Sequence, residues 1–519
     1  MEISESYRRG EMGIVLKAAM VFGNNMVLQR QKKINVWGTG SPGRPISCIL
    51  KGKKTEVVHG VIESDGSWML SLPPFEAERD AELIITDGSE TLSYSNIGIG
   101  EVWLAGGQSN MEYYLRFDAE RESVFEGEMN PDIRFFDAPK VSFEGQLEMH
   151  DYSRFGFWRG CTKEDLPYFS AVGYYFADNL HQELDIPIGI VGCSWGGTPA
   201  CAWMDPAYLE DNEGKAWLEA YEAAIKDLDV EAYKTEFISN PVTDRSDPFR
   251  DETANRMMFP GFSREEQLEF IQNMLTGEQP GLNLPQPGPY WENRPGGLYE
   301  TMLKKLAPYT VRGVIWYQGE SDEEKSGLYG TVFSKLIECW RDLWSDRLPF
   351  LFVQLAPFGE WMKNLPEVRE QQELVAKTIP DTWMISSSDV GMEWDIHPKV
   401  KKPIGTRLAL LARGHIYGEE LMCDPPEFLS AARVPGGIEI NFRHADGLHV
   451  KGDAVNALSI IYPDGTELAP AEAAVVKDQL WIKGEFPERI KISFARRGYY
   501  EVNVYNKRDN PLKPFEVIV

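Results

Sequence analysis

The spacing of apolar residues divides the chain into stretches of different character. Between about residues 14 and 98, short β-rich runs recur: Met26-Val27-Leu28, Ile34-Asn35-Val36-Trp37, Ile46-Ser47-Cys48-Ile49-Leu50, Thr55-Glu56-Val57-Val58 and Leu83-Ile84-Ile85. Turn signals separate them, at Ser41-Pro42-Gly43, Asp65-Gly66 and Asp87-Gly88. Strands at that spacing predict a β-sandwich module. From residue 99 the period changes. Val102-Trp103-Leu104-Ala105 reads as a short buried strand, 171–184 as an amphipathic helix, and Ile188-Gly189-Ile190-Val191-Gly192 as a buried strand. Such alternation predicts a parallel sheet covered by helices.

Residues 206–290 interrupt this pattern. Positions 216–228 and 265–275 read as helices, while 241–283 is rich in proline, glycine and charge. The stretch reads as an insertion or lid on the α/β part. The alternation resumes with helices over 298–306, 331–344, 366–378 and 402–416, and strands at Gly313-Val314-Ile315-Trp316-Tyr317, Phe350-Leu351-Phe352-Val353-Gln354 and Trp383-Met384-Ile385-Ser386. Short strands return after Cys423, at 437–442, 457–461, 480–482 and 490–494. The predicted division is a β module over 1–98, an α/β catalytic unit over 99–422 carrying the 206–290 insertion, and a second β module over 423–519.

Composition narrows the function. A hydrophobic fraction of 43% and a charged fraction of 26% are ordinary for a globular protein. The net charge of −27 makes nucleic acid and anionic membranes poor partners. No apolar run approaches the ~20 residues of a membrane helix. Glu2, Glu5 and Glu11 make a poor signal peptide, so the expected location is the cytoplasm. The six cysteines form no Cys-x-x-Cys and no zinc spacing, and a disulfide framework is not expected; no cofactor is expected.

The chemistry gathers in four loops that follow strands, where open α/β sheets collect their ligands. The first is Gly106-Gly107-Gln108-Ser109-Asn110-Met111, a serine at a strand-to-helix junction. The others are Cys193-Ser194-Trp195-Gly196-Gly197-Thr198, Gln318-Gly319-Glu320-Ser321-Asp322, and the segment from Asp389 to Asp395-Ile396-His397-Pro398. Of the seven histidines only His397 sits in a post-strand loop with carboxylates beside it. This pattern fits serine hydrolase chemistry: Ser109 attacks an acyl carbon, His397 carries its proton, and an acidic group orients the ring. The N–H of Ser109, a glycine N–H from Gly196-Gly197 and the Gln318 amide are the expected oxyanion donors. Gly192-Cys193-Ser194-Trp195-Gly196 also fits the G-x-S-x-G elbow. No convincing helix follows Ser194, since Pro199 disfavours helix in the residue before it, which argues against Ser194 as nucleophile.

Gly107-Gln108-Ser109-Asn110-Met111, Trp195-Gly196-Gly197-Thr198, Trp316-Tyr317-Gln318-Gly319-Glu320-Ser321 and Asp395-Ile396-His397-Pro398 resemble the motif blocks of sialate O-acetylesterase-like proteins of the SGNH hydrolase superfamily. The resemblance extends to Asn25-Met26-Val27-Leu28-Gln29-Arg30, Val504-Tyr505-Asn506 and Pro514-Phe515. It implies an α/β fold with a flavodoxin-like three-layer core, flanking β-sandwiches, and metal-free removal of O-acetyl groups from carbohydrate. It implies Ser109 as nucleophile and His397 as base, and supports the Gly196-Gly197 loop as part of the oxyanion hole. The superfamily has Asn where Gln318 stands, and Asp-x-x-His where this chain has Asp395-x-His397. Asp389 is therefore a rival acid, and a Ser–His dyad a third arrangement. Asp395 is favoured because a residue on the same short loop can reach the imidazole.

The expected substrate is an acetylated oligosaccharide, with Trp195, Trp203, Trp316 and Trp394 as candidates for packing on sugar rings. Sialic acid is an anion and would want a cation at the site; Arg294 and Lys399 are the nearest in sequence. A neutral plant cell-wall oligosaccharide fits the acidic chain better. A carbohydrate-binding protein without activity and a lipase are the readings from other classes. The sequence leaves the oligomeric state open.

Overall fold

The computed structural model describes residues 15–250, 252–261, 263–276, 285–359 and 362–519. Residues 1–14, on which the signal-peptide reading falls, lie outside that set, as does part of the 241–283 stretch. No helix among the described residues is long and apolar enough to cross a membrane.

One strand, Thr91–Gly107, organises the molecule. Its first residues alternate between exposed and half-buried; from Ile97 onward every position is buried. The first half pairs antiparallel with Glu78–Thr86 in the N-terminal β region. The second half lies in a run of strands ordered Trp158–Gly160, Ile133–Asp137, Ile188–Ser194, Thr91–Gly107, Gly313–Tyr317, Phe350–Val353 and Thr382–Ile385. All neighbours there are parallel except the Trp158–Gly160 edge, which is antiparallel. Burial on both faces explains the unbroken apolar stretch Val102-Trp103-Leu104-Ala105. The predicted boundary at 98/99 thus falls inside one continuous strand.

Helix Ala171–Leu184 packs against the closing helix Lys402–Leu411, and Tyr329–Trp344 against Leu365–Thr378. The first pair approaches closely at Gly405, where a Cβ would lie 2.6 Å from that of Tyr175. The insertion contains helices Lys215–Ile225, Val230–Ser239, Glu252–Met258 and Arg264–Thr276. It shares a small cluster with residue Phe143 of the α/β part, which stacks on Tyr290 at 3.9 Å beside Phe237.

The C-terminal strands form two four-stranded sheets and a two-stranded pair around a separate core that includes Ile440, Ile492 and Phe494. Two of the motifs outside the catalytic loops prove structural. Gln29 and Arg30 both bind the fully buried carboxylate of Glu101, at 3.0 and 2.6 Å. The buried Asn506 amide donates to the carbonyls of Asp424 and His444.

Candidate active site

The strand that leads to Ser109 ends at Gly107, and helix Ser109–Glu112 starts two residues later. The turn needs a glycine: Gly107 has φ +138°, and a Cβ there would stand 2.2 Å from the Tyr317 carbonyl oxygen. Gly107 pairs with Ser194 on one side and Tyr317 on the other, so three of the four loops leave the sheet side by side. The fourth reaches the same place from the end of Thr382–Ile385.

There His397 Nε2 lies 2.9 Å from Ser109 Oγ, across 288 positions of sequence. Asp395 Oδ1 accepts the His397 backbone N–H at 2.8 Å and stands 3.6 Å from Nδ1. That last separation is an ion-pair distance, longer than a hydrogen bond. Asp395 Oδ2 holds Lys399 Nζ at 2.6 Å. Asp389, the rival, is occupied elsewhere: both its oxygens accept from the Arg407 guanidinium at 2.7 Å.

Electrostatics suit a neutral base at rest. Burial pushes the His397 imidazole below its ordinary pKa; Asp395 pulls it back in part, while Lys399 and Lys401 push it further down. Burial raises the Asp395 carboxyl, but the His397 hydrogen bond and the Lys399 ammonium outweigh it and hold it well below the carboxylate range. An uncharged imidazole can accept the serine proton, and an ionised Asp395 can stabilise the imidazolium that results.

The oxyanion donors differ from expectation. Gln318 is fully buried, and its amide nitrogen donates to Thr198 O at 3.2 Å and Asp322 Oδ2 at 2.6 Å. Both hydrogens are engaged, so it offers none to an oxyanion. Gly196 lies against Ser109, but its N–H donates to Glu112 Oε2 at 2.8 Å. The N–H groups of Ser109 and Gly197 have no acceptor among the described residues. Those two remain of the four candidates.

Sequence reasoning missed a polar network beneath the serine. Asn110 Nδ2 donates to Glu320 Oε1 at 2.6 Å and Ile396 O at 3.0 Å, and Asn110 Oδ1 accepts from Lys401 Nζ at 2.6 Å. The network ties the Ser109 loop to the His397 loop. Burial, reinforced by Lys399, lowers the Lys401 ammonium to about 7. Tyr113 stacks on His397 at 6.5 Å and donates its hydroxyl to Met258 O; Lys399 Nζ donates to Met257 O at 2.9 Å. The 206–290 excursion therefore touches the catalytic loops through two backbone carbonyls. The motif blocks themselves were the available signal for Asn110 and Glu320; nothing marked Met257 or Met258.

Ser194 ends its strand without a histidine partner, and only the short 3-10 turn Ala200–Trp203 follows. Trp195, Trp203 and Trp316 are core residues, each under 5% exposed, rather than sugar platforms. Arg294 donates to Ser142 O and Trp291 O. His415, Cys423 and Asp424 bring three ligand atoms within 4.8 Å of one another and could hold a metal. They already bond to one another, His415 Nε2 to Asp424 at 3.0 Å and to Cys423 Sγ at 3.3 Å, and share no residue with the serine site.

Residues 288–411 match the family model described as "Carbohydrate esterase, sialic acid-specific acetylesterase". A carbohydrate acetylesterase from Xanthomonas citri superposes with a TM-score of 0.72 at 27% identity, over 97% of this chain and 99% of that one. The protein is an esterase similar to the carbohydrate acetylesterases. The sialate O-acetylesterase of Mus musculus is 28% identical over 447 residues, covering 79% of this chain and 75% of its own length. That of Homo sapiens is 26% identical over 445 residues, covering 79% and 72%. Within the chain, the family model spans the histidine loop and the Gln318 loop, while the Ser109 and Gly196-Gly197 loops lie ahead of it.

Proposed function

We propose that this esterase is an SGNH-type serine hydrolase that removes acetyl groups from neutral oligosaccharides of plant cell-wall type. Ser109 is its nucleophile, His397 its general base and acid, and Asp395 its orienting acid. The observation that carries the reading is the 2.9 Å contact between Ser109 Oγ and His397 Nε2. Ser109 Oγ attacks the acetyl carbonyl carbon while His397 Nε2 takes the hydroxyl proton. The N–H groups of Ser109 and Gly197 receive the oxyanion. On collapse the bond from acetyl carbon to sugar oxygen breaks, and that oxygen takes the proton from His397. Water then attacks the acetyl-Ser109 ester, His397 accepts its proton, and acetate leaves as the proton returns to Ser109 Oγ.

Support for a neutral sugar comes from the neighbouring cations. Lys399 is committed to Asp395 and Met257 O, and Arg294 to two carbonyls, so neither is available for a sialic acid carboxylate. The names of the mammalian relatives favour a second reading, O-acetylated sialic acid. We also read the chain as three parts, 1–98, 99–422 and 423–519, with the catalytic residues all in the second. The test is acetate release from acetylated xylan, mannan and xyloglucan oligosaccharides and from O-acetylated sialic acid, with wild type and Ser109→Ala. Release from a neutral substrate that vanishes in Ser109→Ala is the expected result. Turnover that survives Ser109→Ala would end the mechanism, and a preference for sialic acid would end the substrate assignment.

A further inference from the structure

Besides its contacts to the catalytic loops, the insertion builds one wall of a cleft of about 400 Å³ that opens beside Gly197. Gly197 lines one side and Ser321 the other. The N–H of Ser321 donates to Gln108 Oε1, from the residue preceding the nucleophile, at 3.3 Å. Small-molecule sites occupy about 300–1,000 Å³, so the cleft is of binding size. Two further clefts, of about 270 and 620 Å³, border the C-terminal region, and neither contains a histidine.

Helix Lys215–Ile225 presents Trp217, Ala220, Tyr221 and Ala224 to the cleft. Their spacing puts them on one helical face, with the two alanines leaving the trough open between the rings. Trp217 is fixed by its Nε1–H, which donates to Asp322 Oδ1 at 3.2 Å. Trp291 faces the cleft from the other chain segment, 285–295. Trp291 and Tyr221 are both half-buried, and neither ring stacks on another aromatic ring among the described residues. Asn293, two positions on, donates to Gly197 O at 3.0 Å and so holds this segment at a fixed place relative to the oxyanion loop.

Charge selects among ligands. The ionisable groups lining the cleft are Asp322, Glu324 and Lys325. The Asp322 oxygens are occupied by Gln318, Ala200 N and Trp217. Glu324 is exposed, and Lys325 lies over the Trp217 ring at 5.8 Å. Two acids against one base disfavour a second anion. Flat, electron-rich faces suit the C–H face of an uncharged pyranose.

We propose that this cleft is the sugar-binding subsite of the esterase, taking a neutral pyranose on Trp291 and Tyr221 while its acetyl group reaches Ser109. The proposal rests on the esterase reading for its purpose, but binding and turnover are measured apart. In the Ser109→Ala protein, titration with deacetylated xylo-, manno- and xyloglucan oligosaccharides is followed by tryptophan fluorescence and calorimetry. We expect saturable binding of at least one of them, weakened tenfold or more by Trp291→Ala and by Tyr221→Ala, and largely restored by Trp291→Phe. Free sialic acid should bind more weakly than the best neutral sugar. Circular dichroism checks that each variant is folded; should Trp291→Ala not fold, Tyr221→Ala and Trp291→Phe decide. Unchanged affinity in the folded variants, no saccharide binding, or tighter binding of sialic acid overturns the subsite. Turnover of p-nitrophenyl acetate by wild type, lost in Ser109→Ala, judges the esterase reading independently. A protein that binds sugar without turnover keeps the cleft and loses the esterase.

Discussion

Replacing Asp395 by Asn tests which carboxylate serves the histidine and how strongly. The carboxylate stands 3.6 Å from His397 Nδ1. At an effective dielectric of about 20, a full charge pair at that distance is worth about 4.6 kcal/mol. The imidazole is neutral at rest and charged only in the transition state, so the loss falls on kcat. His397 keeps 15% of its side chain exposed, and water in the open site screens part of the field. Taking the range as about 2–4.6 kcal/mol, kcat falls about 30- to 2,000-fold. A pH profile supplies a second readout. Without Asp395, burial, Lys399 and Lys401 all push the imidazolium down unopposed. The acid limb of kcat/KM therefore moves to lower pH. Lys399 loses its ion partner, so stability is followed in parallel by thermal unfolding. Asp389→Asn is the companion: it breaks the buried Arg407 pair and costs about 3–5 kcal/mol of stability, with kcat of the folded fraction close to wild type. A larger kcat loss in Asp389→Asn, or an acid limb that stays put or rises in Asp395→Asn, refutes the assignment.

Three further outcomes follow from the geometry. Ser194→Ala should retain most of the p-nitrophenyl acetate turnover, whereas Ser109→Ala should lose at least about 10³-fold; the reverse pattern would restore the elbow serine. Gly107→Ala forces a Cβ to within 2.2 Å of the Tyr317 carbonyl at φ +138°, so it should cost at least about 1–3 kcal/mol of unfolding free energy and depress kcat by displacing Ser109; a neutral effect in urea unfolding would contradict the backbone described. Lys401 is held near 7 when folded, against 10.5 for an ordinary lysine. The unfolded chain binds more protons between those values, so stability attributable to this group rises with pH across that window. Lys401→Met should flatten the rise measured by denaturation between about pH 7 and 10, and an unchanged slope would count against a buried ammonium.

What was legible in the sequence follows from period and from chemistry. The buried parallel strands announced themselves because both their faces are apolar, as in Val102-Trp103-Leu104-Ala105. Ile133–Asp137 escaped notice because Arg134 is its second residue; its guanidinium satisfies itself on the carbonyls of Pro131 and Asn25 at 3.0 and 3.2 Å, which no local pattern reveals. Ser109 could be picked out because it stands at a strand-to-helix junction after two glycines, and His397 because it is the one histidine in a post-strand loop beside carboxylates. The module boundary could not be read to the residue, since a strand that changes its neighbours in mid-course leaves only a change in burial alternation.

The oxyanion donors show where sequence reasoning runs out for a physical reason. A motif fixes which backbone reaches the rim of the sheet, and Gly196, Gly197 and Gln318 all belong to loops that leave it beside Gly107. Whether a given N–H is free depends on competition for it. Glu112 sits one helical turn past Ser109 and reaches back to take the Gly196 N–H, while its other oxygen meets Lys140. Asp322 is buried and needs donors more than an oxyanion does, and Gln318 supplies one while Ala200 N and Trp217 supply others. Gly197, at φ +77° with open space where a Cβ would be, is left unclaimed. The proposed anion hole is thus the remainder after two carboxylates have been satisfied, the half-buried Glu112 and the buried Asp322, which stand one position past the Met111 and Ser321 ends of their motif blocks.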